Sequence, residues 1–96
     1  VMHGAVVNAG AVVGRNCIVN SQSLVEHDAV IADHCHVATS AAINSGVRIG
    51  EGTFIGSGST VRQGITIGAH SLIGMGQRVV ADCGAGTQMP STKGSS

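Results

Sequence analysis

The sequence predicts an all-β chain folded as a parallel β-helix of about five 18-residue coils, and three observations support this prediction. First, valine or isoleucine occupies every sixth position from Val1 to Val79. Second, the residue two places before each of them is mostly small, and the residue before that is mostly Gly, Asn or Asp. Third, the chain of 96 residues is 43% hydrophobic, yet it has one Phe and no Trp or Tyr. Aromatic side chains usually fill wide cores, so their scarcity indicates a narrow core.

Each six-residue repeat predicts one short strand followed by a corner. Because side chains alternate along a strand, the Val or Ile and the small residue two places earlier should both point inward. The residue before that small residue should turn the corner with positive φ, which Gly, Asn and Asp tolerate. The inward series is Val1, Val7, Val13, Val19, Val25, Ile31, Val37, Ile43, Ile49, Ile55, Val61, Ile67, Ile73 and Val79. The corner series includes Gly4, Gly10, Asn16, Asp28, Gly46, Gly52, Gly58, Gly64, Gly76 and Asp82.

Three repeats should close one triangular coil, and successive coils should stack through parallel β hydrogen bonds. No coil buries a core alone, so stability is expected to come from stacking. Residues 1–84 are assigned to this β-helix, and the polar, Gly/Ser/Thr-rich tail 85–96 is expected to be disordered. The repeat is already under way at Val1, so it stays open whether the chain is a fragment of a longer protein.

Composition disfavours several classes of protein. Five basic and five acidic residues give a net charge of zero without a basic stripe, so no nucleic-acid partner is expected. No apolar run approaches the roughly 20 residues of a membrane span. The three cysteines, Cys17, Cys35 and Cys83, form no CxxC pair, which favours a reduced, cytoplasmic setting. Cys17 and Cys35 are 18 residues apart at the inward small position, which predicts stacked, buried thiols.

One histidine is flanked by two carboxylates, in Glu26-His27-Asp28. A neighbouring carboxylate raises the basicity of an imidazole and can fix its tautomer, as a general base requires. A solvated corner with an accidental acidic flank explains the same residues equally well. His34 and His70 occupy turn positions and are interpreted as corner residues.

Two further polar residues are predicted to be neighbours on one outer face. Asn20 follows the inward Val19, and His36 precedes the inward Val37 one coil later. Surface polarity alone also explains such a pair. His27 should lie at the corner opposite this face, so a site using all three residues must form between subunits. A triangular prism is suited to packing around a threefold axis, which predicts a homotrimer.

A metal site is not expected. Residues 33–36 (Asp-His-Cys-His) offer ligand types close together, but the predicted strand directs Cys35 inward and leaves only His36 facing outward. Three histidines from neighbouring prisms would be needed for a zinc site.

With these residues in view, the chain resembles the hexapeptide-repeat acyltransferases, whose fold is a left-handed parallel β-helix. Residues 19–28 (VNSQSLVEHD) and 34–38 (HCHVA) are similar to the branch that acetylates sialic acids or the amino group of nucleotide-linked bacillosamine-type sugars. The resemblance covers residues 1 to about 82. It implies acetyl-CoA as cosubstrate, a sugar or nucleotide sugar as acceptor, and direct transfer without a covalent enzyme intermediate.

The same resemblance implies roles for seven residues. It implies that His27 is the general base, that Asp28 raises its basicity and that Glu26 assists. Polar groups near the thioester correspond to Asn20 and His36, and backbone positions that contact the cofactor correspond to Ser57 and Met75.

Two other functions remain alternatives: a non-catalytic β-helix trimer or scaffold, and, less favoured, a γ-carbonic anhydrase-like metal site.

Overall fold

The computed structural model describes residues 4–91, and within them the chain folds as a parallel β-helix. Fourteen two-residue strands are separated by four-residue corners for most of the described length, and no helix occurs between them. Residues 4–91 therefore contain no helix with the length and hydrophobicity needed to cross a membrane. The predicted all-β architecture of about five coils is confirmed.

The strands form three parallel sheets, which are the three faces of a triangular prism. Face 1 contains β1 Val6–Val7, β4 Leu24–Val25, β7 Ala42–Ile43, β10 Thr60–Val61 and β13 Arg78–Val79. Face 2 contains β2 Val12–Val13, β5 Val30–Ile31, β8 Arg48–Ile49 and β11 Thr66–Ile67. Face 3 contains β3 Ile18–Val19, β6 His36–Val37, β9 Phe54–Ile55, β12 Leu72–Ile73 and β14 Gln88–Met89. We call the corner from face 1 to face 2 the first, that from face 2 to face 3 the second, and that from face 3 to face 1 the third.

The core is a stack of the Val and Ile residues that recur every six positions. Val7 pairs with Val25 and Val25 with Ile43, so each residue lies above the one 18 positions earlier. From Val19 to Val79 every member of the series is buried, with exposed fractions of 0–2%. At about 25 cal/mol per Å² of apolar surface, this column is the main stabilising feature of the fold.

The small inward residues have a second function, because several of them bind a backbone carbonyl 15 residues ahead, in the next coil. Ser23 Oγ donates to Ala38 O at 2.8 Å, and Ser59 Oγ donates to Gly74 O at 2.7 Å. Further bonds of this kind join Cys17 to Ala32, Cys35 to Gly50 and Thr53 to Gly68. No buried side-chain nitrogen or oxygen in residues 4–91 lacks a hydrogen-bond partner. The hydroxyls and thiols thus satisfy carbonyls that would otherwise be buried at a cost.

The two stacked cysteines were predicted to be buried thiols, which is confirmed for Cys35 but holds only in part for Cys17. Cys35 is buried, Cys17 is half-buried, and both are free thiols. Burial raises the pKa of the Cys35 thiol. Cys83 is also a free thiol but lies at the edge of the core, where its backbone forms an isolated parallel β-bridge with Ile67.

The corner residues adopt positive φ throughout the regular part of the helix. Besides the glycines, six residues with side chains do so: Asn16, Gln22, Asp28, His34, Ser40 and His70. The stacked coils therefore impose this conformation even on Gln22 and Ser40, which have no strong preference for it. Asp82 was expected to continue the series, and this expectation was wrong, since it is absent from the positive-φ residues.

The reason is a two-residue slip in the last coil. Cys83 pairs with Ile67 and Met89 with Ile73, both 16 positions apart, instead of 18. The first corner is shortened at residues 80–82, and Gly86 turns the next corner with φ 73°. Strand β14 adds to face 3 within the segment that the sequence analysis assigned to a disordered tail. The helix consequently continues past residue 84, and residues 92–96 of the predicted tail lie outside the described part of the chain.

Candidate active site

The first corner carries the Glu26-His27-Asp28 segment. The His27 side chain is 66% exposed, and its Nδ1 lies 4.0 Å from Oε1 of Glu26. Asn8, one coil below, donates its amide N–H to the same Glu26 oxygen at 2.5 Å. The Glu26 carboxylate is therefore held by the coil below and faces the imidazole. Of the two flanking carboxylates, it is Glu26 that lies within salt-bridge distance of His27.

Asp28 is directed differently. It turns the corner with φ 61°, and its side chain packs over Gly10 in the coil below, close to where a Cβ would stand. Glycine at position 10 leaves the space that the Asp28 carboxylate fills. Asp28 makes no ion pair with His27 within 4.0 Å in residues 4–91, so in this structure it contributes to the shape of the corner.

Asn20 and His36 are in contact, as predicted. The Asn20 amide nitrogen lies 2.9 Å from Nε2 of His36. An amide N–H only donates, so Nε2 must accept, and the proton of the neutral ring then belongs on Nδ1. Phe54, one coil above, meets the imidazole edge-on with ring centroids 5.0 Å apart at 65°. Asn20 and Phe54 therefore fix both the tautomer and the orientation of the half-buried His36 ring.

Ser57 and Met75 stack at the third corner, next to the face that carries His36. Gly76 N donates to Ser57 O at 2.9 Å, which ties the two coils together. The Ser57 backbone N–H has no acceptor among residues 4–91, whereas Met75 N donates to Ser91 Oγ at 3.0 Å. The Met75 side chain is 54% exposed. This corner therefore exposes small residues, backbone and the Met75 side chain.

One prism does not bring the seven candidate residues together. Asn20, Ser57 and Met75 lie at the third corner, with His36 on the adjoining face 3. His27 lies at the first corner, which is opposite face 3 in the triangle. The predicted separation of these two groups is confirmed. Within residues 4–91, no three His, Cys, Asp or Glu side chains are grouped as a metal site would require.

Sequence reasoning overlooked one feature, an open groove of about 470 Å³ on face 1 and the first corner. It is lined by Asn44, Thr60, Arg62, Arg78 and Val80. The 18-residue period could have revealed it: Arg62 and Val80 continue the column of Glu26 and Asn44, and Arg78 lies above Thr60.

Comparison with known proteins places this geometry in a family. A model of the bacterial transferase hexapeptide family (six repeats) matches residues 28–63 and 46–79. The chain belongs to this family. No match was found among curated proteins.

Several solved structures resemble this member of the family. A histidine-to-asparagine variant of perosamine N-acetyltransferase from Caulobacter crescentus, in complex with CoA and GDP-perosamine, is 35% identical with a TM-score of 0.90, over 92% of this chain and 42% of that one. The acetyltransferase domain of PglB from Neisseria gonorrhoeae, in complex with acetyl coenzyme A, is 26% identical with a TM-score of 0.69, over 90% and 51%. PerB from Caulobacter crescentus, in complex with CoA and GDP-perosamine, is 26% identical with a TM-score of 0.56, over 90% of this chain and 50% of that one. The chain thus spans about half or less of these structures.

Proposed function

We propose that this chain is the β-helix of an acetyl-CoA-dependent sugar N-acetyltransferase, which acylates the amine of a nucleotide-linked amino sugar in the cytoplasm. The observation that carries the proposal is its 35% identity over 92% of its length to an enzyme solved with CoA and GDP-perosamine. The acetyl-CoA complex of the PglB domain supports the same cosubstrate. The three free cysteines agree with a reducing compartment.

In the proposed reaction, the acceptor amine attacks the thioester carbonyl carbon while His27 removes its proton. The new C–N bond forms, the C–S bond breaks, and the CoA thiolate leaves and is protonated. Glu26 faces Nδ1 of His27, which favours Nε2 as the nitrogen that accepts the proton. No group on the enzyme needs to be acylated.

The second half of the proposed site is face 3 with the third corner. His36 is held rigidly by Asn20 and Phe54 and would meet the thioester end of the cosubstrate. The Ser57 N–H, which has no acceptor among residues 4–91, and the exposed side chain of Met75 are suited to binding the pantetheine arm. Since His27 is on the opposite side of the prism, we propose a cyclic homotrimer in which the first corner of each subunit packs near face 3 of its neighbour.

The test is acetyl transfer from acetyl-CoA to GDP-perosamine, followed by mass spectrometry of the sugar nucleotide. The comparison includes His27→Ala and, as a matched control, His70→Ala, which removes another exposed corner histidine. Removal of a general base should lower turnover by about 10²–10⁴-fold, whereas His70→Ala should stay near wild type. Equal turnover by both variants would remove His27 from the mechanism. A folded chain that neither binds acetyl-CoA nor transfers acetyl would contradict the proposed activity as a whole and favour the non-catalytic scaffold.

A further inference from the structure

The groove on face 1 differs from the rest of the outer surface in its charge. Its lining combines the guanidinium groups of Arg62 and Arg78 with the polar side chains of Asn44 and Thr60 and the apolar side chain of Val80. Arg62 and Arg78 are both exposed, and in the part of the chain that the structure describes neither forms an ion pair. Two arginines therefore converge on one open groove with their charges uncompensated.

The acidic residues lie elsewhere. Glu26, Asp28 and Asp33 belong to the coil below Asn44, and Glu51 lies in the coil of Asn44 but at the second corner, away from face 1. Asp82 is the one acid at the height of the upper coils, and its Oδ1 accepts a hydrogen bond from the Thr66 backbone N–H at 2.8 Å, on face 2. The amide of Asn44 donates to the Val61 carbonyl and lines the groove without adding charge. The groove lining therefore has a net positive charge, which favours an anion.

The donor geometry indicates the class of anion. A guanidinium group presents a planar set of N–H donors that match the oxygens of a phosphate in pairs. Arg62 lies at the end of strand β10 and Arg78 begins strand β13, which lies directly above β10. Arginines one strand apart can each engage one phosphate of a diphosphate, with the Thr60 hydroxyl between them as a further donor.

The position of the groove relative to His27 indicates which diphosphate it receives. Glu26, beside His27, is separated from Arg62 by two coils, or about 10 Å at the spacing of neighbouring strands. A sugar nucleotide places its phosphates within a few bonds of the sugar that carries the amine. In CoA the long pantetheine arm separates the thioester from the diphosphate. The separation of about 10 Å between the coil of His27 and Arg62 therefore fits the diphosphate of CoA better than that of a sugar nucleotide.

We propose that Arg62 and Arg78 bind the diphosphate of a substrate that reacts at His27, and that this substrate is acetyl-CoA. This inference rests on the proposed function, and it adds a phosphate-binding groove on the same corner as the general base. In the trimer, the groove of one subunit and the third corner of its neighbour enclose the cosubstrate from two sides.

The experiment measures binding by calorimetry, which does not depend on turnover. The probes are acetyl-CoA, S-acetylpantetheine, GDP and inorganic pyrophosphate. The variants are Arg62→Gln, Arg78→Gln and the matched control Arg48→Gln, which removes an exposed arginine from face 2. Each groove variant should weaken acetyl-CoA and pyrophosphate binding by about tenfold. The S-acetylpantetheine affinity, which involves no phosphate, and all affinities of Arg48→Gln should stay within about twofold of wild type.

The outcomes separate the two sources of a diphosphate. Weakened binding of GDP with unchanged binding of acetyl-CoA would assign the groove to the sugar nucleotide and overturn its assignment to CoA. Unchanged binding of acetyl-CoA, GDP and pyrophosphate in both groove variants would overturn the site altogether. If wild type binds GDP and pyrophosphate through the arginines but does not bind acetyl-CoA, the arginines bind a diphosphate, but the assignment of the groove to acetyl-CoA and the proposed function both fail. If His27→Ala retains full turnover while the arginine variants lose acetyl-CoA affinity, the general base fails and the groove stands.

Discussion

Mixing two inactive variants should restore activity, because the structure separates the two halves of the proposed site. His27 lies at the first corner, and His36 lies on the opposite face of the same prism. In a cyclic trimer each site then pairs His27 of one subunit with His36 of the next. A His27→Ala subunit still supplies an intact face 3, and a His36→Ala subunit still supplies an intact first corner.

The expected recovery follows from counting sites. In an equal mixture that assembles at random, half of the subunits have His27 and half of the neighbours have His36. About one quarter of all sites are therefore intact, and activity should rise to about a quarter of wild type. The two pure variants should each retain at most about 1% of wild-type turnover if each histidine contributes at the level of an acid–base or positioning group.

The assay is acetyl transfer to GDP-perosamine after co-expression or joint refolding, with the mass of the assembly checked by light scattering. The matched control mixes His27→Ala with the double variant His27→Ala/His36→Ala, which cannot form an intact site in any arrangement. Both substitutions remove side chains outside the buried column, so the trimer should assemble normally. A mixture no more active than its two components would refute the placement of the site between subunits.

Three further predictions concern the stability and the chemistry of single residues. Ser59→Ala removes a buried hydroxyl that donates to a carbonyl in the next coil, so the free energy of unfolding should fall by about 1–3 kcal/mol. Thermal melting followed by circular dichroism measures this loss, and an unchanged melting temperature would contradict the role of the hydroxyl. In its neutral form His36 should carry its proton on Nδ1, which ¹⁵N NMR can show, and Asn20→Leu should remove the preference for this tautomer. A wild-type ring protonated on Nε2 would disprove the hydrogen bond from Asn20 to Nε2. Hydrogen bonds from the backbone and guanidinium of Arg15 lower the pKa of Asp33. The stabilisation from these bonds is thus fully present above the ordinary carboxyl pKa and is lost as pH falls through the lowered pKa of Asp33. Asp33→Asn should therefore have a lower melting temperature than wild type at neutral pH and approach wild type in strong acid. A difference in melting temperature that persists in strong acid would contradict this linkage.

The period of six made much of the fold predictable. Few arrangements of the chain bury both an inward Val or Ile at every sixth position and a small residue two places earlier. A stack of triangular coils is one that does. Because the coil repeats every 18 residues, the contact between Asn20 and His36 could be predicted from spacing alone. The same arithmetic placed His27 on the far side of the prism.

The end of the helix was not predictable in this way. The six-residue pattern fades after Gly84. The first corner of the last coil is nevertheless two residues shorter than the others, and the chain forms another strand, Gln88–Met89, on face 3. A short segment with one inward Met is too weak a pattern by itself, and it is the exposed edge of strand β12 that gives it backbone partners.

The sequence by itself determined the register, the inward column and the corner at which each candidate residue lies, since a strict repeat turns position in the chain into position in space. Only the tertiary structure decided which side chains meet. It directs Asp28 over Gly10, brings Glu26 to His27, and opens a groove between Arg62 and Arg78. These outcomes depend on side-chain rotamers and on neighbours one coil away, and a period in the sequence specifies positions but not the directions of exposed side chains.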